Sequence, residues 1–259
     1  MSEEIERVRP CPRISRGQQE LTEEQQVYVY HFSQARITAM LETSLVDEAE
    51  AEAHLSQAYQ VVGLGPPAIH WFDSPLAFIL AQDWSDARRD SVRDPRKVVY
   101  DKVNGVKNSI VTNMWSVWCG VRNSLATDVW YSAWDSIEDG VANNVWEGVI
   151  QSIGASDDES NGYKNWYSAT DSVMAYYNEC LLAFSHLLHE VFEPNDLVHF
   201  ARFNELVSGY LLGRERAWLV RKPVRLCRDE QGRLHSPGGM CVQYRDGWGI
   251  QHLPPAGVE

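Results

Sequence analysis

Cysteine is scarce in this chain, and so are basic residues and long apolar runs. Five cysteines stand among 259 residues, at 11, 119, 180, 227 and 241. Their number is odd and no two have the CxxC spacing, which speaks against a zinc knuckle and against a disulfide framework, and points to reduced thiols. Cys227 and Cys241 are the pair that a hairpin would bring face to face, as two packed thiols. The longest apolar run, LAFILA before Gln82, is far shorter than the roughly 20 residues that span a bilayer, and MSEEIERVRP is charged where a signal peptide is apolar. A cytoplasmic protein with no membrane partner is expected.

Lys+Arg number 23 against Asp+Glu 36, a formal net charge of −13. A nucleic-acid binder needs clustered cations to displace counterions from phosphates. The densest basic stretches, Arg88 to Lys97 and Arg214 to Arg225, are short, and the first is interrupted by Asp90 and Asp94. Direct nucleic-acid binding is therefore disfavoured, while an acidic decoy of nucleic acid fits the charge alone. Also missing are a Gly-x-Ser-x-Gly elbow, a P-loop and the HExxH of zinc hydrolases. The Gly63-Leu64-Gly65 stretch runs into Pro66 and Pro67 and reads as a turn, not a phosphate loop.

What is present is helical patterning followed by alternation. Residues 1–19 read as a flexible arm. Thr22 and Gln25 have capping-box spacing, and Val27, Tyr30, Ala35, Ile37 and Leu41 are taken as the apolar face of a first helix. A second helix is expected from Asp47 to Val61, its first turns loaded with acidic residues. After the extended AIHWF, Ser74 and Pro75 read as N-cap and N1 of a third helix running to about Val92. Further helices are expected from Trp166 to Phe192, stopped by Pro194, and from Asn195 or Asp196 to Leu212. From Ala217 the pattern becomes that of strands, with Asp246-Gly247 as a hairpin turn.

The middle of the chain carries a tetrapeptide repeat. Val121, Leu125, Val129, Ala133, Ile137, Val141, Val145, Val149 and Ile153 recur at every fourth place, each preceded by Gly, Ser, Asp or Asn. Trp115, Trp118, Trp130, Trp134 and Trp146 follow apolar members of the series. In a strand this spacing would bury Tyr131, Asp135, Asp139 and Glu147 as well. In an α-helix a step of four overshoots one turn by about 40°, so the stripe winds around the axis and must be enclosed on successive sides. Helix is preferred, as one rod or as pieces broken near Gly120 and Gly140, with a β-solenoid as the alternative. The expected fold is α+β: a helical domain over 20–216 with the repeat at 103–153, and a small antiparallel β meander over 217–259.

AYQVVGLGPPAIHWFDSPLAFILA, the Ser-Val-Trp array and RDEQGRLHSPGGMCVQYRDGWGI, together spanning Ala58 to Ile250, resemble a bacterial family known only as a domain of unknown function. In that family a Gly-Leu-Pro-Pro turn and a Trp-x-x-Ser-Pro-Leu segment precede a Ser-Val array, and Arg-Asp-Glu-x-Gly-Arg-Leu-His closes the domain. This chain departs from it at Gly238 to Cys241 and in a shorter tail. The resemblance implies a bacterial source and no particular activity. Its closing turns are also similar to MORN-like hairpin modules, which serve as binding surfaces.

Candidate chemistry is sparse. His186, His189 and Glu190 stand at i, i+3 and i+4 on a predicted helix, where three such groups could hold a divalent metal, but an amphipathic helix with partly exposed histidines is the preferred reading and no metal site is favoured. His235, with Asp229 and Asp73, is the candidate acid–base set. The tryptophans of the array, with Trp248, are candidates for a binding surface. No cofactor is indicated. Because repeats of variable number extend a surface more readily than they preserve one catalytic geometry, the sequence favours a non-catalytic protein-interaction or assembly module. Its partner would be another protein or a second copy. A hydrolase built on the His and carboxylate candidates is the alternative.

Overall fold

A computed structural model describes residue 13 and residues 21–81, 135–153, 169–191, 194–230 and 233–251. Helix α1 (Glu23–Leu41) starts at the capping box read from the sequence: the Gln25 amide donates to Thr22 Oγ1 at 3.3 Å, and the Thr22 amide donates to Gln25 Oε1 at 2.9 Å. Asp47 caps α2 (Glu48–Val61) by accepting from the Ala49 and Glu50 amides. Gly63, at φ +74°, ends it in the left-handed conformation that a side chain would strain. The Leu64 amide then reaches Tyr59 O and the Gly63 amide reaches Gln60 O, satisfying two of the helix's last carbonyls. Strand β1 (Ala68–Phe72) leads into α3 (Pro75–Leu80), whose N-cap is Ser74; residues 82–92 of the expected helix lie outside the described residues.

Of the repeat, 135–153 is described; the earlier members, with Trp115, Trp118, Trp130 and Trp134, lie outside the described residues. The segment is helical in two geometries: a π-helix over Asp135–Ala142 that continues as α4 (Asn143–Ser152). This resolves the spacing problem. A step of four overshoots an α-turn and falls short of a π-turn, whose i→i+5 bonds take more than four residues per turn. Running one into the other keeps Ile137, Val141, Val145 and Val149 on one side, all 2% exposed or less.

Two further stretches differ from the sequence reading. Helix α5 (Met174–Val191) is followed by α6 (Val198–Glu205), which stops well before Leu212 because 209–212 forms β2 (Gly209–Leu212). Strand β3 (Arg216–Val220) does not join the C-terminal meander. It pairs antiparallel with β2 and, across a long crossover, parallel with β1, matching Ala68 to Arg216 and Phe72 to Val220. The meander itself is β4 (Arg225–Leu226), β5 (Met240–Gln243) and β6 (Gly249–Gln251), antiparallel in that order.

The protein is thus a mostly helical α+β fold with two three-stranded sheets, one mixed and one antiparallel. Its main core joins α1, α2, the repeat segment, α5, α6 and both sheets through Leu55, Tyr59, Val145, Tyr176, Phe203, Leu219 and Val242. Among the described residues no helix is long and apolar enough to cross a membrane.

Candidate functional site

The first helix buries only part of its expected apolar face, Leu41 and, in part, Ile37. Its buried positions are Gln25, Val29, Ser33, Arg36, Met40 and Leu41, whereas Val27 and Tyr30, assigned above to the apolar face, are 52% and 48% exposed, and Ala35 is exposed too. The reason is Arg36. Its guanidinium, at 4% exposure, grips the equally buried Glu179 of α5 with two parallel bonds, Nε to Oε1 at 2.7 Å and Nη2 to Oε2 at 2.8 Å. It also pairs with Glu205 of α6 and lies 3.2 Å from His186 Nδ1. Asn204 Nδ2 completes the Glu179 carboxylate at 2.9 Å. A buried charge needs such partners. Meeting them fixes the rotation of α1, and the apolar Val27 and Tyr30 are left facing out.

Burial shifts Arg36, Glu179 and His186 of this cluster. It drives the Arg36 guanidinium down, against the pull of Glu179, and pushes the Glu179 carboxyl up, against Arg36, Asn204 and Lys222. The two parallel bonds are those of an ion pair. His186 is held down at about 3, by burial first and then by the charges of Arg202, Arg36 and His189. Lys222, just beyond β3, is 5% exposed and brought down to about 7 by burial. Its Nζ donates to Ala39 O in the last turn of α1, a turn with no basic residue of its own.

Lys222 also lines a shallow cleft together with Glu48, Trp71, Leu206, Arg221 and Arg245. The cations there are already matched. Arg221 donates to both oxygens of Glu48 at 2.8 and 3.1 Å and to Asp73 at 3.2 Å, and its guanidinium lies 5.3 Å from the Trp71 ring centre. Arg245 stands 3.6 Å from the same Glu48 carboxylate. The hydrogen bond from Arg221, more than any other contact, pulls the Glu48 carboxyl below its ordinary range. The cleft is polar, and both of its arginines are engaged by carboxylates.

The sequence candidates are placed as follows. His186 belongs to the buried cluster, 3.5 Å from Glu190, while His189 Nδ1 accepts from the Asn195 amide at 3.0 Å, so the three do not converge on one point. No group of three His, Cys, Asp or Glu side chains positioned for a metal occurs among the described residues. Asp73 does not cap α3: Ser74 Oγ does, accepting from the Ala77 amide and donating to Asp246, while Asp73 pairs with Arg221. Asp229 accepts from the amide and guanidinium of Arg233 within its own hairpin, and His235 is exposed. Trp146 and Trp248 are half-buried against the core, and Trp248 Nε1 donates to Ser152 Oγ at 3.1 Å. These two indoles join α4 to the meander.

Sequence reasoning missed both the Arg36–Glu179 cluster and the outward face of α1. One signal was available: after Glu24 the only charged residue in α1 is Arg36. The exposed positions Gln26, Val27, Tyr30, His31, Gln34, Ala35 and Thr38 form a stripe without formal charge, in a chain with 59 charged side chains. No protein-family model, no curated protein and no solved structure matches the chain.

Proposed function

We propose that this is a cytoplasmic, non-catalytic assembly module that self-associates through the outward face of α1. The carrying observation is the uncharged, exposed stripe on that helix. Two copies of a protein with net charge −13 repel each other over most of their surfaces. Val27, Tyr30, Gln34, Ala35 and Thr38 recur at the three- and four-residue steps that put side chains on one side of a helix. A two-fold axis through this stripe would set it against itself without opposing carboxylates, as an isologous contact requires. A helix of 19 residues is about 28 Å long, so the contact is small and the association weak, in the micromolar range or above.

The hydrolase alternative gains no comparable support. Asp73 and Asp229 are engaged by arginines, and His189 accepts a backbone amide. Sedimentation velocity from about 1 to 500 µM tests the assembly reading. A concentration-dependent dimer that Val27→Glu/Tyr30→Glu abolishes, with an unchanged circular dichroism spectrum, is the expected result. A monomer at every concentration overturns it. So does a dimer indifferent to the two substitutions.

A further inference from the structure

His54 of α2 and His199 of α6 meet where these two helices pack together, with ring centres 5.7 Å apart and ring planes 30° apart. Three features make this a poor place for a positive charge. His54 Nδ1 is buried and has no hydrogen-bond partner among the described residues. The Arg202 guanidinium, one turn along α6 from His199, adds a cation of its own. Helix α6 starts at Val198 without a side-chain cap, so the positive end of its dipole lies at His199. The opposing carboxylate is Glu50, one turn back on α2. Its Oε1 stands 3.9 Å from His54 Nε2, and its side chain is 56% exposed, so solvent weakens the contact.

We propose that the His54–His199 pair is an acid-sensitive latch between α2 and α6: the neutral rings pack together, and a proton on His54 sets it against His199 and Arg202, so the helices part locally as the pH falls. The groups that act on His54 are Glu50 of its own helix and His199 and Arg202 of α6. Burial first, then the charge of His199, lowers the His54 imidazole from its ordinary value of 6.5; Glu50 opposes them, and Arg202 adds to the lowering. The opened contact therefore takes up a proton more readily than the closed one. The latch holds above about pH 6.5 and weakens as the pH falls below it. His186 also feels Arg202, but it stands on α5 against Arg36 of α1, so its titration is read in other elements.

Amide hydrogen exchange of the full chain, read as protection factors between about pH 7.5 and 5.5, tests this. Protection of α2 and α6 should fall by several-fold relative to β5, with a ceiling of about tenfold for one proton taken up near the ordinary histidine value. His54→Phe keeps a ring in the contact, removes the proton site and deletes a buried nitrogen that has no partner among the described residues. That variant should be at least as well protected as the parent at the upper pH and should lose the acid response. Glu50→Gln, at an exposed position, removes the opposing carboxylate and should steepen the response. Protection of α2 and α6 that does not change with pH relative to β5, an acid response that His54→Phe retains, or one that Glu50→Gln diminishes overturns the proposal.

Discussion

Replacing Arg36 with Met is the sharpest test of the buried cluster. Met keeps most of the length and the apolar stem while removing the charge and every donor. Glu179, 1% exposed, would keep the Asn204 amide at 2.9 Å and the field of Lys222, and would lose both guanidinium bonds. Leaving one member of a buried pair uncompensated costs about 3 to 5 kcal/mol. Glu179 has an escape, since burial already raises its carboxyl and losing Arg36 raises it further. The penalty is therefore capped by protonation, at about 1.4 kcal/mol for each pH unit between the solution and the new pKa. A loss of about 3 kcal/mol at pH 7 is expected, shrinking by at least 1 kcal/mol at pH 5.5. Urea denaturation followed by tryptophan fluorescence measures both. The double change Arg36→Met/Glu179→Met should recover part of the loss, because Glu179 then needs no partner while Glu205 still loses its contact with Arg36. A single variant within about 1 kcal/mol of the parent, or a double variant worse than the single, refutes the buried ion pair.

Two further outcomes follow from neighbouring contacts. His186 stays neutral in the fold down to about pH 3 but takes a proton near 6.5 when unfolded, so between those values the unfolded chain binds more protons. Its contribution is therefore present above pH 6.5 and is lost as the pH falls toward 3. Burial drives this shift, aided by the charges of Arg202, Arg36 and His189, with the Glu190 and Glu205 carboxylates standing 3.5 and 3.6 Å away, and His186→Asn should flatten the urea midpoint over that window. At Gly148 a Cβ would lie 2.2 Å from Ile250 Cγ2, so Gly148→Ala should cost about 1 to 3 kcal/mol in thermal or urea unfolding, and Ile250→Ala in the same chain should restore part of it.

Local chemistry was legible in the sequence. The Thr22–Gln25 box, the Gly63 stop and the Ser74–Pro75 start depend on residues within a few positions of one another, and each occurs as read, while Asp47, read as the first residue of α2, caps it instead. The β5–β6 hairpin was legible for the same reason, its strands being joined by the short turn that holds Asp246-Gly247. The parallel pairing of β1 with β3 was not, because its partners are separated by about 150 residues and nothing in AIHWF specifies RAWLV as its neighbour. The end of α6 was misjudged because GYLL serves a helix or a buried strand equally, and pairing with β3 settles it as strand.

The rotation of α1 marks where hydrophobic patterning stops being sufficient. By apolar content alone the helix has two candidate faces, one through Val27 and Tyr30 and one through Val29 and Met40, and neither is strongly favoured. A single guanidinium decides between them, because an unpartnered buried Glu179 costs more than two exposed side chains of modest size. The second face is then left facing solvent without a charge to protect it. If the contact proposed for that face is real, the buried pair and the assembly surface have one origin: the same rotation that satisfies Glu179 inside presents Val27 and Tyr30 outside. Arg36→Met should therefore weaken self-association as well as stability under conditions where the chain stays folded, although residue 36 lies on the opposite side of the helix from the contact.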